Sequence, residues 1–259
     1  MLPRALIVLA TGTNRDRDTA QALELAGATA EIVPLKHLRR NTQSWRDFQM
    51  LVLAGGFSYA DALGAGKLLA LDLLHYFSDQ LTEFVIGGKP VIGICNGFQA
   101  LVKAGILPYP ARNLSQPPAT LTFNQRGHFE CRWVTIKPVS QVCIWTRGLV
   151  ELIDCPVAHG EGNFVVKDLN VVQELNASGQ IALVYTLPDG SPASGVYPYN
   201  PNGSILDIAG ICNPAGNVLG LMPHLEDNVL AFQHPGWTRQ AGNSGLPLFQ
   251  NGVRYAQEL

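Results

Sequence analysis

A chain of 259 residues with a net charge of -2, 15% charged against 47% hydrophobic residues, can fill a core unaided, which excludes a disordered or coiled-coil protein and any need for disulfide staples. Its basic residues are scattered, and the densest group, Lys36, Arg39, Arg40 and Arg46, reads as solvated surface rather than a nucleic-acid footprint. Five cysteines without CxxC or Cys-His spacing, and an N-terminal apolar run too short for a signal peptide or membrane span, predict a reduced, cytoplasmic protein with no metal cage and no membrane association.

Residues 5–10 form an apolar run ending in the turn Thr11-Gly12-Thr13-Asn14, and residues 16–25 set Ala20, Leu23 and Leu25 among polar positions, predicting strand, loop and helix. Residues 28–35 predict a second strand, and residues 50–54 a third that is stopped by Gly55-Gly56. Leu68, Leu71, Leu74 and Leu81 predict one or two helices outside the sheet, and residues 91–94 a fourth buried strand. A short helix starts near Asn96, with Phe98, Leu101 and Val102 as its packing face. Residues 105–125, rich in Pro, Asn, Gln and Ser, predict a long loop. Residues 130–137, 141–145 and 181–186 predict strands, residues 197–204 a polar turn, and residues 205–222 interrupted apolar runs. The expected fold class is α/β, a single domain over residues 1–259 in which a parallel sheet covered on both faces is extended by mixed β-structure.

Gly93-Ile94-Cys95-Asn96-Gly97 has the spacing of a nucleophile elbow, where small residues permit a strained turn between strand and helix. A cysteine there meets the positive end of the helix dipole and unpaired N–H groups, both of which favour thiolate. A free cysteine is otherwise a small buried hydrophobe. That reading is kept for Cys131, Cys143, Cys155 and Cys212, and on spacing alone both readings stay open for Cys95. A thiolate needs a base and an orienting acceptor, and His224 and Glu226 supply both if an extended backbone turns them to one side. An isolated His-x-Glu is an ordinary polar loop, so the pair gains meaning only beside Cys95. Acyl transfer also needs oxyanion donors, for which the N–H groups of Asn96 and Gly56 are candidates. Gly55-Gly56 could equally be a simple turn.

With these pieces stand Gly12-Thr13-Asn14, Gly55-Gly56-Phe57-Ser58-Tyr59, Gly93 to Gln99, His159-Gly160-Glu161-Gly162, Asn200-Pro201-Asn202-Gly203-Ser204 and Gly220-Leu221-Met222-Pro223-His224. Together they resemble the triad-type, or class I, glutamine amidotransferases, and within them the glutaminase subunits of phosphoribosylformylglycinamidine synthase. The resemblance spans residues 12 to about 237 and implies a flavodoxin-like three-layer sandwich with a Cys95, His224, Glu226 triad. It further implies that Gln99 helps hold L-glutamine and that His159 and Gly160 wall its pocket. The ammonia released would pass through a channel to a large synthetase subunit, which holds the ATP and magnesium, with a small bridging subunit alongside. No cofactor is expected in this chain. The pattern is broken at Ala60, where the family has Gly, at Arg15, where it has Cys, at Leu225, where it has Pro, and at Asp227, where it has Arg. Two other readings are a different triad-type amidotransferase or hydrolase, and a scaffold that has lost glutaminase competence.

Overall fold

The computed structural model describes residues 1–40, 45–109, 116–239 and 244–259. Residues 110–115 of the expected long loop lie outside the described residues. Among the described residues the central sheet has nine strands, ordered β2-β1-β3-β4-β11-β10-β9-β6-β7. These are β1 (Arg4–Leu9), β2 (Thr29–Pro34), β3 (Met50–Leu53), β4 (Val91–Ile94), β6 (Glu130–Pro138), β7 (Ile153–His159), β9 (Ile181–Thr186), β10 (Ile208–Cys212) and β11 (Val218–Leu221). A separate antiparallel pair is formed by β5 (Ala119–Thr122) and β8 (Asn163–Val166).

The pairings from β2 through β1, β3 and β4 to β11 are parallel. From β11 onward every pairing is antiparallel. The sequence explains the division. β3 and β4 are buried at every position, as strands covered on both faces must be. β7 instead alternates, with Ile153, Cys155, Val157 and His159 turned inward, the period of a strand with one buried face.

α1 (Asp16–Leu25) packs with α6 (Leu246–Glu258), and α3 (Lys67–Ile86) with α4 (Asn96–Lys103). Right-handed crossovers from β1 to β2 and from β3 to β4 run in opposite directions along the sheet and put α1 and α3 on opposite faces. α2 (Leu35–Arg39) follows β2, and α5 (Leu169–Ala177) begins at Asp168, whose carboxylate accepts from the N–H groups of Asn170 and Val171. The described helices include none long and apolar enough to cross a membrane.

Several expectations need correction. α3 is one helix with a kink at Phe77, and its inward face is Leu69, Leu73, Phe77, Leu81 and Phe84. Of the four leucines singled out from the sequence only Leu81 is buried; Phe77 and Phe84 share the inward face with it. Residues 141–145 are not a strand. Ser140 Oγ accepts from the N–H groups of Val142 and Cys143 at 3.1 and 3.0 Å and turns the chain, leaving Trp145 as a buried plug. Residues 105–125 are not loop throughout, since β5 occupies 119–122. Cys131 is exposed, whereas Cys143, Cys155 and Cys212 are buried.

Candidate active site

The carboxyl ends of β1, β3, β4 and β11 open onto one crevice, the place where open α/β sheets hold ligands. Cys95 stands between β4 and α4 at φ 50°, ψ -103°, a strained conformation for a residue with a side chain. The two glycines of the motif make this possible. A Cβ on Gly93 would lie 2.7 Å from the Gly97 carbonyl, and one on Gly97 would lie 1.9 Å from Leu53 O. The Cys95 N–H donates to Leu221 O at 2.7 Å, so β11 also fixes the turn. The thiol lies 3.8 Å from Ala158 O, the acceptor of its weak hydrogen bond.

Directly after β11 the chain delivers His224. Its N–H donates to Pro156 O at 2.8 Å, and its Nδ1 lies 2.7 Å from Glu226 Oε1, with both side chains almost fully buried. The backbone here is not extended as expected. Residues Leu225–Asn228 form a 3-10 turn with His224 at its head, and the turn brings the i and i+2 side chains together. Burial opposes a charged imidazole, yet the Glu226 carboxylate and the Cys95 sulfur outweigh it and hold His224 well above the ordinary histidine range. Nδ1 thus carries the proton shared with Glu226, and Nε2 is left for the thiol.

The loop after β3 completes the crevice. Gly56 sits at φ 140°, and a Cβ there would fall 2.6 Å from Asn14 N, so only glycine fits. The loop is tied to the turn after β1 by Phe57 N–H to Gly12 O at 2.9 Å and Tyr59 N–H to Thr11 O at 2.7 Å. Asn96 ties it to the elbow, accepting from the Ser58 N–H at 3.2 Å and donating to Asp61 Oδ1 at 3.2 Å. Among the described residues no hydrogen bond is made by the main-chain N–H of Gly56 or Asn96. Ala60, expected from the sequence to be hindered where glycine would not be, adopts φ 54° within a left-handed turn that also includes Tyr59 and Asp61.

Gln99 is buried, with Oε1 accepting from Asn96 and Nε2 donating to Glu161 O at 2.6 Å. His159 ends β7 and is buried rather than solvated. Its Nδ1 pairs with Asn124 Oδ1 at 3.1 Å. Burial, followed by the charge on His224, pushes His159 down to about 3. Gly160 O accepts from the Asn124 N–H at 2.9 Å, and Gly162 N–H donates to Asn124 Oδ1.

Sequence reasoning missed Asn124, and it placed Glu161 in the loop that walls the pocket and Asp61 beside the Gly55–Tyr59 motif without finding the contacts of either. Asn124 ties together His159, Gly160 and Gly162. Glu161 accepts from the Ala65 N–H at 3.2 Å and pairs with Lys103 at 3.6 Å. Asp61 bonds Asn96, and burial and then Glu161 raise its carboxyl above the usual range. The partners of all three are distant in sequence, so no local pattern marks these contacts. His224, Glu226 and Asp227 also present donor atoms within 4.8 Å of one another, but His224 Nδ1 is held by Glu226, and Asp227 is paired with Arg15 at 3.6 Å.

The CobB/CobQ-like glutamine amidotransferase domain family matches residues 2–256. The chain is 56% identical to the phosphoribosylformylglycinamidine synthase subunit PurQ of Treponema denticola, covering 98% of this chain and 99% of the relative. It is 40% identical to the same subunit of Dehalococcoides mccartyi, covering 99% and 98%. Among solved structures it resembles a chain of PurLQS from Thermotoga maritima, with a TM-score of 0.75 and 31% identity over 98% of this chain and 99% of that one. The chain belongs to the PurQ family of glutamine amidotransferase subunits of phosphoribosylformylglycinamidine synthase.

Proposed function

We propose that the chain, acting as one domain in the cytoplasm, hydrolyses L-glutamine through a Cys95 thioester and supplies the ammonia to a synthetase subunit of purine biosynthesis. The observation that carries this reading is the convergence of the strained Cys95 turn with the buried His224–Glu226 pair at 2.7 Å. The Cys95 thiolate attacks the side-chain amide carbon of glutamine. His224 delivers a proton to the departing ammonia and then activates the water that hydrolyses the thioester, while Glu226 holds the imidazole in one tautomer. The N–H groups of Gly56 and Asn96 receive the oxyanion. Gln99, its amide fixed by Asn96 and Glu161 O, helps hold the substrate, and His159 and Gly160 form the pocket wall.

The partners are the large synthetase subunit, which binds ATP and magnesium and converts formylglycinamide ribonucleotide to formylglycinamidine ribonucleotide, and a small bridging subunit. The resemblance to a chain of PurLQS supports this assembly. Docking closes the pocket, so the isolated chain hydrolyses glutamine slowly and the loaded complex does so faster. The test is Cys95→Ala in the reconstituted complex. Glutamine-dependent amidation is abolished and ammonia-dependent amidation is kept. Loss of both in a properly assembled complex contradicts the division of labour.

A further inference from the structure

Arg15 and Asp227 stand outside the triad yet join the segments that carry its base and its oxyanion loop. The Arg15 N–H donates to Gly55 O at 3.2 Å, and its carbonyl accepts from the Thr19 N–H at 3.0 Å, so its backbone is fixed at the head of α1. The side-chain stem passes over Gly55 beside the His224 ring. A methyl group on Gly55 would lie 3.5 Å from Arg15 Cγ and 2.6 Å from His224 Cε1. The guanidinium then reaches Asp18 at 3.1 Å through Nη1 and Asp227 at 3.6 Å through Nε. Asp227 is only partly exposed and follows Glu226 in the turn 225–228.

Two carboxylates beside one imidazole create a difficulty. Glu226 already favours the protonated ring, and an uncompensated Asp227 would hold that proton tighter and disfavour negative charge on Cys95. A base that releases its proton too reluctantly serves neither ammonia departure nor water attack. Asp227 interacts with His224 and Glu226 from its own turn, Arg15 and Asp18 at the head of α1 and Cys155 from β7, which in turn feels Asp154, while His224 interacts with Cys95 of the elbow and His159 of β7. Arg15 is the one cation among them besides His224 itself. Burial and then Glu226 push the Asp227 carboxyl up to about 6, which still leaves it ionised at neutral pH.

Building on the glutaminase reading above, we infer that Arg15 is a positioning residue: its pairing with Asp227 cancels the extra negative charge beside His224 and ties the base's turn to the Gly55-Gly56 loop. The test measures the pH dependence of Cys95 alkylation by iodoacetamide on the full chain, quantified on the Cys95 peptide by mass spectrometry. Arg15→Gln moves the midpoint up by about 0.5 to 1 in pH, the size expected of one uncompensated, solvent-screened charge within 4.8 Å of the His224–Glu226 pair. Adding Asp227→Asn brings it back, as does the charge-exchanged pair Arg15→Asp with Asp227→Arg. Asp227→Asn alone moves the midpoint down and carries the test if Arg15→Gln does not fold. A merely structural role lowers reactivity at every pH without moving the midpoint. An unmoved midpoint in folded Arg15→Gln, or a shift that Asp227→Asn fails to reverse, overturns the inference. Glutamate release by the assembled complex decides the glutaminase reading separately, so the two ideas fail on different readouts.

Discussion

Gly55→Ala places a methyl group against the surface on which His224 rests. Gly55 does not use a left-handed backbone, so the effect is one of space. The added carbon would lie 2.6 Å from His224 Cε1 and 3.3 Å from Nδ1, while its 3.5 Å approach to Arg15 Cγ is an ordinary contact. Carbon atoms settle at about 3.5 Å, so the imidazole must retreat by roughly 0.9 Å and stretch its bond to Glu226. A misplacement of about 1 Å in a reacting group costs on the order of 100-fold in rate, which corresponds to about 2.7 kcal/mol of barrier. Glutamate release under saturating glutamine, followed in the assembled complex, should fall by that factor. Ammonia-supported synthesis in the same preparation should stay at the wild-type level. Wild-type glutamate release from a folded Gly55→Ala complex would refute the placement of His224 as the base.

Two further perturbations separate chemistry from packing. Cys212→Ala, at a fully buried position on β10, lowers the melting temperature but leaves glutamate release within about twofold; a core truncation of one heavy atom costs on the order of 1 kcal/mol. Loss of thioester formation in that variant would show that the wrong cysteine was assigned. His159 titrates at about 3 in the folded chain against about 6.5 when unfolded. Between those values the unfolded chain binds more protons, so the stabilisation is complete above pH 6.5 and lost as pH falls toward 3. About 2 kcal/mol goes by pH 5, and roughly 4 to 5 kcal/mol at the lower limit. Denaturant midpoints taken from pH 7.5 to 5 should fall for the wild type and flatten in His159→Gln. Parallel slopes for the two would contradict the assignment.

The first half of the fold was legible because its signals are local. The apolar runs of β1, β3 and β4 stop at Gly12, Gly55 and Cys95, and G-x-C-x-G predicts the elbow without reference to distant residues. His224 and Glu226 were paired correctly for the wrong backbone, since an i, i+2 spacing serves an extended strand and a 3-10 turn alike. The second half was harder to read. β7 carries Asp154 and Pro156 within its run, residues that count against a strand, and β8 is only four residues long. α6 carries a clear stripe of Leu248, Phe249, Gly252, Val253 and Ala256 and Pro247 in its first turn, where proline is tolerated, but the interior Gly252 depresses its helical propensity. At residues 141–145 an apolar cluster mimics a strand, and Ser140 decides otherwise by bonding the backbone itself. Asn124, Asp61 and the Arg15–Asp227 pair depend on contacts between segments 35 or more residues apart, and a single sequence gives no sign of such contacts.

The central claim is a covalent glutamyl intermediate on Cys95, and acid-quench mass spectrometry of the assembled complex tests it most directly. Mixing with glutamine and quenching within the first turnovers should yield a glutamyl adduct confined to the Cys95 peptide, absent from Cys95→Ala and persisting longer when His224 is replaced by Asn. An adduct on Cys131, Cys143, Cys155 or Cys212, or glutamate release by a complex in which Cys95 carries no adduct at any quench time, would contradict it.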